Sequence, residues 1–223
     1  DGHDLRTLHP KDLRRAIGDY DEYLKRVPGL ADALANRGVA WRRIAEADAA
    51  RGKDPTDALR RAVADCTAAL ERNPRSVLSL VARGNARLVA ARADEARGID
   101  PRAACGLAVA DFDEALRLAP EELTAQRNRG SAHYQIAQAS LARGADPREE
   151  CRAAIADYGA VLERWKEDPV ALANRGSAWL LLGDAEVATG QDPMASYRGA
   201  IADVDAALRI RSHAPTALLC RAV

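Results

Sequence analysis

Apolar side chains recur along this chain at intervals of three and four, the spacing that lines one face of an α-helix. Between Ala31 and Arg51 the small and apolar positions are Leu34, Gly38, Trp41, Ala45 and Ala49. Gly52 follows, able to take the positive φ that ends a helix; Asp54 is suited to cap the next helix and Pro55 to its first turn. A second helix over 55–72 carries Leu59, Val63, Cys66 and Leu70 along one face, and Asn73-Pro74 breaks it. The same signals predict helices near 10–26, 77–97, 101–118, 123–143, 147–164, 169–189 and 193–210.

These signals are themselves periodic. Ala31–Ser76, Val77–Glu122, Leu123–Asp168 and Pro169–Ala214 lie end to end as four copies of one 46-residue unit. Each has Arg-Gly near its start (Arg37-Gly38, Arg83-Gly84, Arg129-Gly130, Arg175-Gly176) and Gly-x-Asp-Pro near its middle, beginning at Gly52, Gly98, Gly144 and Gly190. A fixed period of 20 to 50 residues marks stacked repeats, in which each unit buries its apolar face against its neighbours. Residues 1–9 read as a polar tail and 10–30 as half a unit. Residues 215–223 begin another unit, with Arg221-Ala222 where Arg-Gly belongs. Half-units at both ends imply exposed apolar faces there and a chain cut from a longer protein.

Composition narrows the function classes. Lys+Arg and Asp+Glu are both 33, so neither the basic footprint of nucleic-acid binding nor a polybasic membrane patch is expected. Arginine far outnumbers lysine and alanine is abundant, which suggests a GC-rich bacterial source. The longest apolar run, Ala178–Leu182, is far too short to span a membrane, and the absence of a secretory signal points to the cytoplasm. Cys66, Cys105, Cys151 and Cys220 form no Cys-x-x-Cys pair and fall at helical positions, as buried thiols do.

The order Ala-Leu-x-Asn-Arg-Gly-x-Ala-Trp over Ala33–Trp41, followed by Ala62, an aromatic-type site, Ala69-Leu70 and Pro74, resembles the tetratricopeptide repeat. The aromatic-type site reads Tyr20, Cys66, Phe112, Tyr158 and Val204 along the chain. The resemblance covers residues 10–223. It implies an all-α, right-handed superhelical solenoid of antiparallel helix pairs, with small residues such as Gly38 and Ala62 where the two helices touch. The units here exceed the family's 34 residues around the Gly-x-Asp-Pro turn, so both helices should be longer.

Candidate chemistry is sparse. Arg37, Arg83, Arg129, Arg175 and Arg221 recur with Asp19, Asp65, Asp111, Asp157 and Asp203. Residues at equal depth on either side of the Asn73-Pro74 turn predict ion pairs between units: Asp19–Arg37, Asp65–Arg83, Asp111–Arg129, Asp157–Arg175 and Asp203–Arg221. Such pairs would fix stacking, and breaking one would cost about 3–5 kcal/mol. Asp-x-Asp at Asp19/Asp21, Asp111/Asp113 and Asp203/Asp205 would send one carboxylate to this ladder and the other to solvent, because helix residues two apart diverge. His133 takes the place of Trp41 and Trp179 and reads as a packing residue; Cys105 and Cys151 share one core position. No phosphate loop, nucleophile elbow or metal-ligand spacing occurs, so no catalytic residue, metal or cofactor is expected and the chain reads as a non-enzyme.

The resemblance implies instead a concave groove lined by the first helix of each unit. Its expected floor includes Asn36, Arg42 and Arg43 in the first unit, Leu88 and Val89 in the second, Arg127, Asn128 and Tyr134 in the third, and Leu180 and Leu181 in the fourth. The lysine–asparagine set that captures a C-terminal carboxylate in that family is incomplete. An apolar strip with a basic end suits a peptide or helix bearing apolar anchors and some acid. The expected role is a protein-interaction scaffold, a recognition arm of a larger bacterial protein, binding neither nucleic acid nor membrane. The alternative is a structural module that stacks head to tail through its open ends.

Overall fold

The computed structural model describes residues 9–212, which among them hold nine α-helices and no strand. These are α1 (Pro10–Arg26), α2 (Ala31–Ala49), α3 (Thr56–Arg72), α4 (Val77–Ala96), α5 (Arg102–Leu118), α6 (Leu123–Leu141), α7 (Arg148–Arg164), α8 (Pro169–Ala188) and α9 (Met194–Ser212). Every helix expected from the periodicity is present, with ends displaced by at most two residues. The polar tail before His9, the half-unit at 215–223 and the Cys220 and Arg221 positions lie outside the described residues.

The turns explain why the helices stop where they do. Gly52, Gly98, Gly144 and Gly190 all have φ between 70° and 76°. After each, an amide donates back across the helix end: Lys53 to the Asp48 carbonyl at 2.9 Å, and Ala145 to that of Ser140 at 2.9 Å. This is the Schellman closure, which only a residue tolerant of left-handed backbone allows. The aspartate two residues on then accepts the amide of the residue that opens the next helix. Asp54 takes Thr56, Asp100 takes Arg102, Asp146 takes Arg148 and Asp192 takes Met194, at 3.0–3.1 Å.

The helices group into two compact units, residues 1–122 and 123–223. In the first, α1 packs on α2, α2 on α3, α3 on α4 and α4 on α5, with α2 also beside α4; in the second, α6, α7, α8 and α9 pack in order and α6 touches α8. Partners run antiparallel. Gly176 of α8 faces Asp203 and Val204 of α9, whereas Gly183, further along α8, faces Tyr197, which lies earlier in α9.

Alanine fills these interfaces more than any other residue. Ala35, Ala40, Ala62 and Ala69 in the first unit, and Ala132, Ala154, Ala171 and Ala178 in the second, are fully buried. Small side chains let helix axes approach closely, so burial here comes from near-backbone packing supplemented by Leu34, Leu59, Leu80, Tyr158 and Leu172. Cys66, Cys105 and Cys151 are buried free thiols within this core, as expected. At the start of the chain Tyr23, Val27 and Leu30 are exposed, at 47%, 43% and 38%. α1 buries Leu13 and Ile17 and exposes Lys11, Arg14, Arg15, Gly18 and Glu22.

Candidate functional site

The recurrent arginine and aspartate meet inside each unit, not between units. Arg37 grips Asp65 with Nε and Nη2 at 2.8 and 2.6 Å, and Arg175 grips Asp203 at 2.7 Å through both nitrogens. Arg83 binds Asp111 at 3.0 and 2.6 Å, and Arg129 binds Asp157 at 3.0 and 2.6 Å. The expected Asp65–Arg83 and Asp157–Arg175 pairs are therefore absent, and Arg129 turns to Asp157 where Asp111 was expected. The pair Asp203–Arg221 lies outside the described residues. Depth from a turn was a poor guide because helix contact, not residue level, decides which side chains meet. Gly38 has no Cβ, and one built there would lie 3.0 Å from the Ala62 carbonyl and 3.4 Å from Asp65 Cβ. That close approach of α2 to α3 leaves Arg37 at the rim of the contact, beside Asp65.

A link to the preceding helix survives in altered form. Arg37 Nη1 donates to Asp21 of α1 at 2.6 Å, and Asp19, the expected acceptor, is exposed. Arg83 Nη1 donates to Thr67, which holds the equivalent place in α3, at 3.5 Å. Before Arg175 that place is Gly159, which has no side chain to offer. In the later Asp-x-Asp pairs Asp111 and Asp203 are buried in the ladder, while Asp113 and Asp205 are exposed. In the first pair, Asp21 takes the inward role.

The groove residues fare unevenly. On α4 Leu88 is only 4% exposed, and Val89 packs with Trp41 on the core around Ile44 and Leu59. Arg42 and Arg43 both pair with Glu46, so the expected basic end carries its own counter-charge. Burial depresses the Arg42 pKa, against the pull of Glu46. Asn36 is half-buried. On α6 Arg127 pairs with the buried Asp168 at 3.1 Å, and Asn128 is half-buried. His133 Nδ1 lies 2.6 Å from Glu150, a half-buried polar contact at the site where packing alone was expected.

Around α6 and α8 the expected residues do come together. Tyr134 packs on the core containing Tyr158 and Leu172, and its hydroxyl bonds with Ser177 and accepts from Gln138 at 3.2 Å. Burial raises its pKa. One turn beyond Ser177, Leu180 is 52% exposed, while Leu181 packs inward against Ala137, Cys151 and Leu182. Asn174, expected to reach for a partner's backbone, is half-buried beside the Tyr158 hydroxyl, which bonds with Ser131 at 3.0 Å. The result is one exposed face on α8, running Val170, Ser177, Leu180, Val187, with Tyr134 at its edge.

One recess was not foreseen. Between α3 and α4 a cleft of about 360 Å³ has Leu59, Val63, Ala90 and Ala93 on its walls and Arg97 bonded to Thr56 at 2.7 Å across its rim. The equivalent bridge between α7 and α8 has the roles exchanged, with Arg148 donating to Thr189 at 3.3 Å. Among the described residues no group of three His, Cys, Asp or Glu is placed to hold a metal ion, and no helix is long and apolar enough to cross a membrane.

Paired antiparallel helices, glycine contacts and a regular internal repeat define an all-α helical-repeat solenoid. That fold is shared with a solved structure of low sequence identity. Among solved structures, MamA aligns over 91% of this chain and 90% of its own, with a TM-score of 0.57 and 16% identity. YrrB, described as a TPR protein with an unusual peptide-binding site, aligns over 92% of this chain and 98% of its own at a TM-score of 0.35 and 16% identity. A human IFIT1 dimer with PPP-AAAA aligns over 90% of this chain and 46% of its own at 0.38 and 15%. No protein-family model matches the chain, nor does any curated protein.

Proposed function

We propose that this chain recognises another protein without turnover or cofactor, using the exposed face of α8 to hold a segment with aliphatic anchors. The observation that carries this is Leu180, an apolar side chain left 52% exposed beside the Tyr134–Ser177 contact while its equivalent Leu88 is buried. A leucine held on rigid helix, next to a hydroxyl that can bond a passing backbone, suits an extended or helical peptide. Because Arg42 and Arg43 share Glu46 and Arg127 is held by Asp168, most of the basic charge is already met within the chain, and the preferred segment is apolar with little need of acid.

The test is selection from a displayed random-peptide library on the intact chain and on Leu180→Glu. Leu180 is preferable to Leu181 because Leu181 supports the core. Enriched peptides should carry paired aliphatic residues and lose at least tenfold in affinity for the variant at unchanged helicity. Peptides that bind both proteins equally would place the site elsewhere, with the α3–α4 cleft next to examine.

A further inference from the structure

The cleft between α3 and α4 lies where the repeat elsewhere keeps a large side chain. At the α1–α2 junction Leu13, Ile17 and Ile44 are all buried. One repeat further on, the same three places hold Leu59, Val63 and Ala90. The change removes four carbons, three at Ala90 and one at Val63, and leaves both residues half-buried. Later repeats have Ile136 and Leu182 where α4 has Ala90, and Leu182 is buried. Both flanking helices, α2 and α5, are described and pack against this pair, so the opening is not the mark of a missing repeat. At about 360 Å³ the cleft exceeds what four carbons alone would leave and reaches the small end of the range for ligand pockets. Its mouth differs as well. At the α1–α2 junction Arg14 leans across to Asp48, 3.8 Å away. The corresponding Arg60 turns back to Asp57 on its own helix at 2.6 Å, and the corresponding Asp94 is taken by Arg97 at 2.6 Å. Asp57 also serves Arg61, at 2.8 Å, so this lip carries two guanidinium groups on one carboxylate.

We propose that this cleft is a binding site for a small carboxylic acid with a branched aliphatic body. The body takes the room that Ile44 fills in its own repeat, against Leu59, Val63, Ala90 and Ala93. The carboxylate meets Arg60, whose pair with Asp57 is exposed on both sides and is exchanged at little cost. Charge favours an acid over an amine. Of the residues lining the cleft, Arg60 and Arg97 are basic and Asp94 is acidic, so an apolar interior stands beneath a mouth with a surplus positive charge. A free acid also fits better than a peptide. Arg97, bonded to Thr56 at 2.7 Å, ties the two helices together across the rim, which suits a compact molecule entering from one side more than a polypeptide that must enter and leave. The site is separate from the α8 face and does not rest on the role proposed for it.

Titration of the intact chain with 4-methylpentanoate, followed through the protein's methyl signals by NMR, tests this. Shifts should be confined to the methyl groups of the cleft and should saturate with a Kd on the order of 1 mM. Ala90→Ile, which supplies the side chain that Ile44 provides in its own repeat, should abolish them at unchanged helicity. Arg60→Gln should weaken the acid about threefold. The same variant should leave unchanged the binding of uncharged 4-methyl-1-pentanol, itself weaker than the acid on the intact chain. No saturable shift up to about 50 mM would mean that the cleft is closed or filled by the chain itself, and would overturn the proposal. So would an acid that binds Ala90→Ile undiminished, or an alcohol that binds the intact chain as tightly as the acid. None of these outcomes depends on whether peptides bind at Leu180.

Discussion

At Gly84 a Cβ would sit 2.6 Å from the Phe112 ring; at Gly38 the obstacle is the Cys66 sulfur at 2.7 Å, and at Gly176 it is Val204 at 3.2 Å. The same contact is therefore tight or loose according to what the facing helix supplies. Gly84→Ala should destabilise the chain by about 2 kcal/mol through overpacking, measured by urea unfolding, and the loss should shrink below about 1 kcal/mol in a Phe112→Ala background. Asp111 is the most heavily committed acid, holding both Arg83 and Arg87 while buried. Asp111→Ala strands two guanidinium groups and should cost about 3 kcal/mol; Asp113→Ala, two residues on and exposed, should cost under about 1 kcal/mol. Three buried groups make the fold sensitive to alkali. Burial pushes the Cys66 and Cys151 thiols up from 9.0, and the Tyr158 hydroxyl up from 10.0, each to about 12. The folded chain keeps these protons where the unfolded chain has released them, so their stabilisation is complete below pH 9 and is lost as pH rises to about 12. The urea midpoint should fall across that window, and Tyr158→Phe should flatten the part above pH 10.

Helices were legible because their signals are local: glycine takes the left-handed turn, aspartate caps, and a three-to-four spacing lines the buried face. Pairing between helices was not, because it depends on rotation about the helix axis. Arg37 lies at similar depths from Asp19 and Asp65, and only the missing Cβ of Gly38 brings α3 close enough to decide. Leu88 and Leu180 hold the same repeat position, yet one is buried and the other exposed, a difference set by what covers each helix. Asn174 looked available until Tyr158, in the neighbouring helix, supplied a hydroxyl to meet it. The Arg97–Thr56 and Arg148–Thr189 bridges show what does survive between units: the contact, with its ends exchanged. Thr56→Arg or Arg97→Thr alone should lose up to about 1 kcal/mol, and the double exchange should recover most of it in a double-mutant cycle.

Within each compact unit the described chain is a set of short-range contacts repeated in order, and each helix packs on its sequence neighbours in that unit. Placing the arginine and its aspartate within one 46-residue segment has a consequence for how such a chain can change length. Had each pair joined successive segments, inserting or losing one would have demanded a matching partner at both junctions. With both members encoded in the same stretch of gene, an in-frame duplication carries a neutralised pair with it, and an in-frame deletion removes both charges together. Unequal recombination can therefore lengthen or shorten this protein by whole segments and leave no buried charge without its counter-ion.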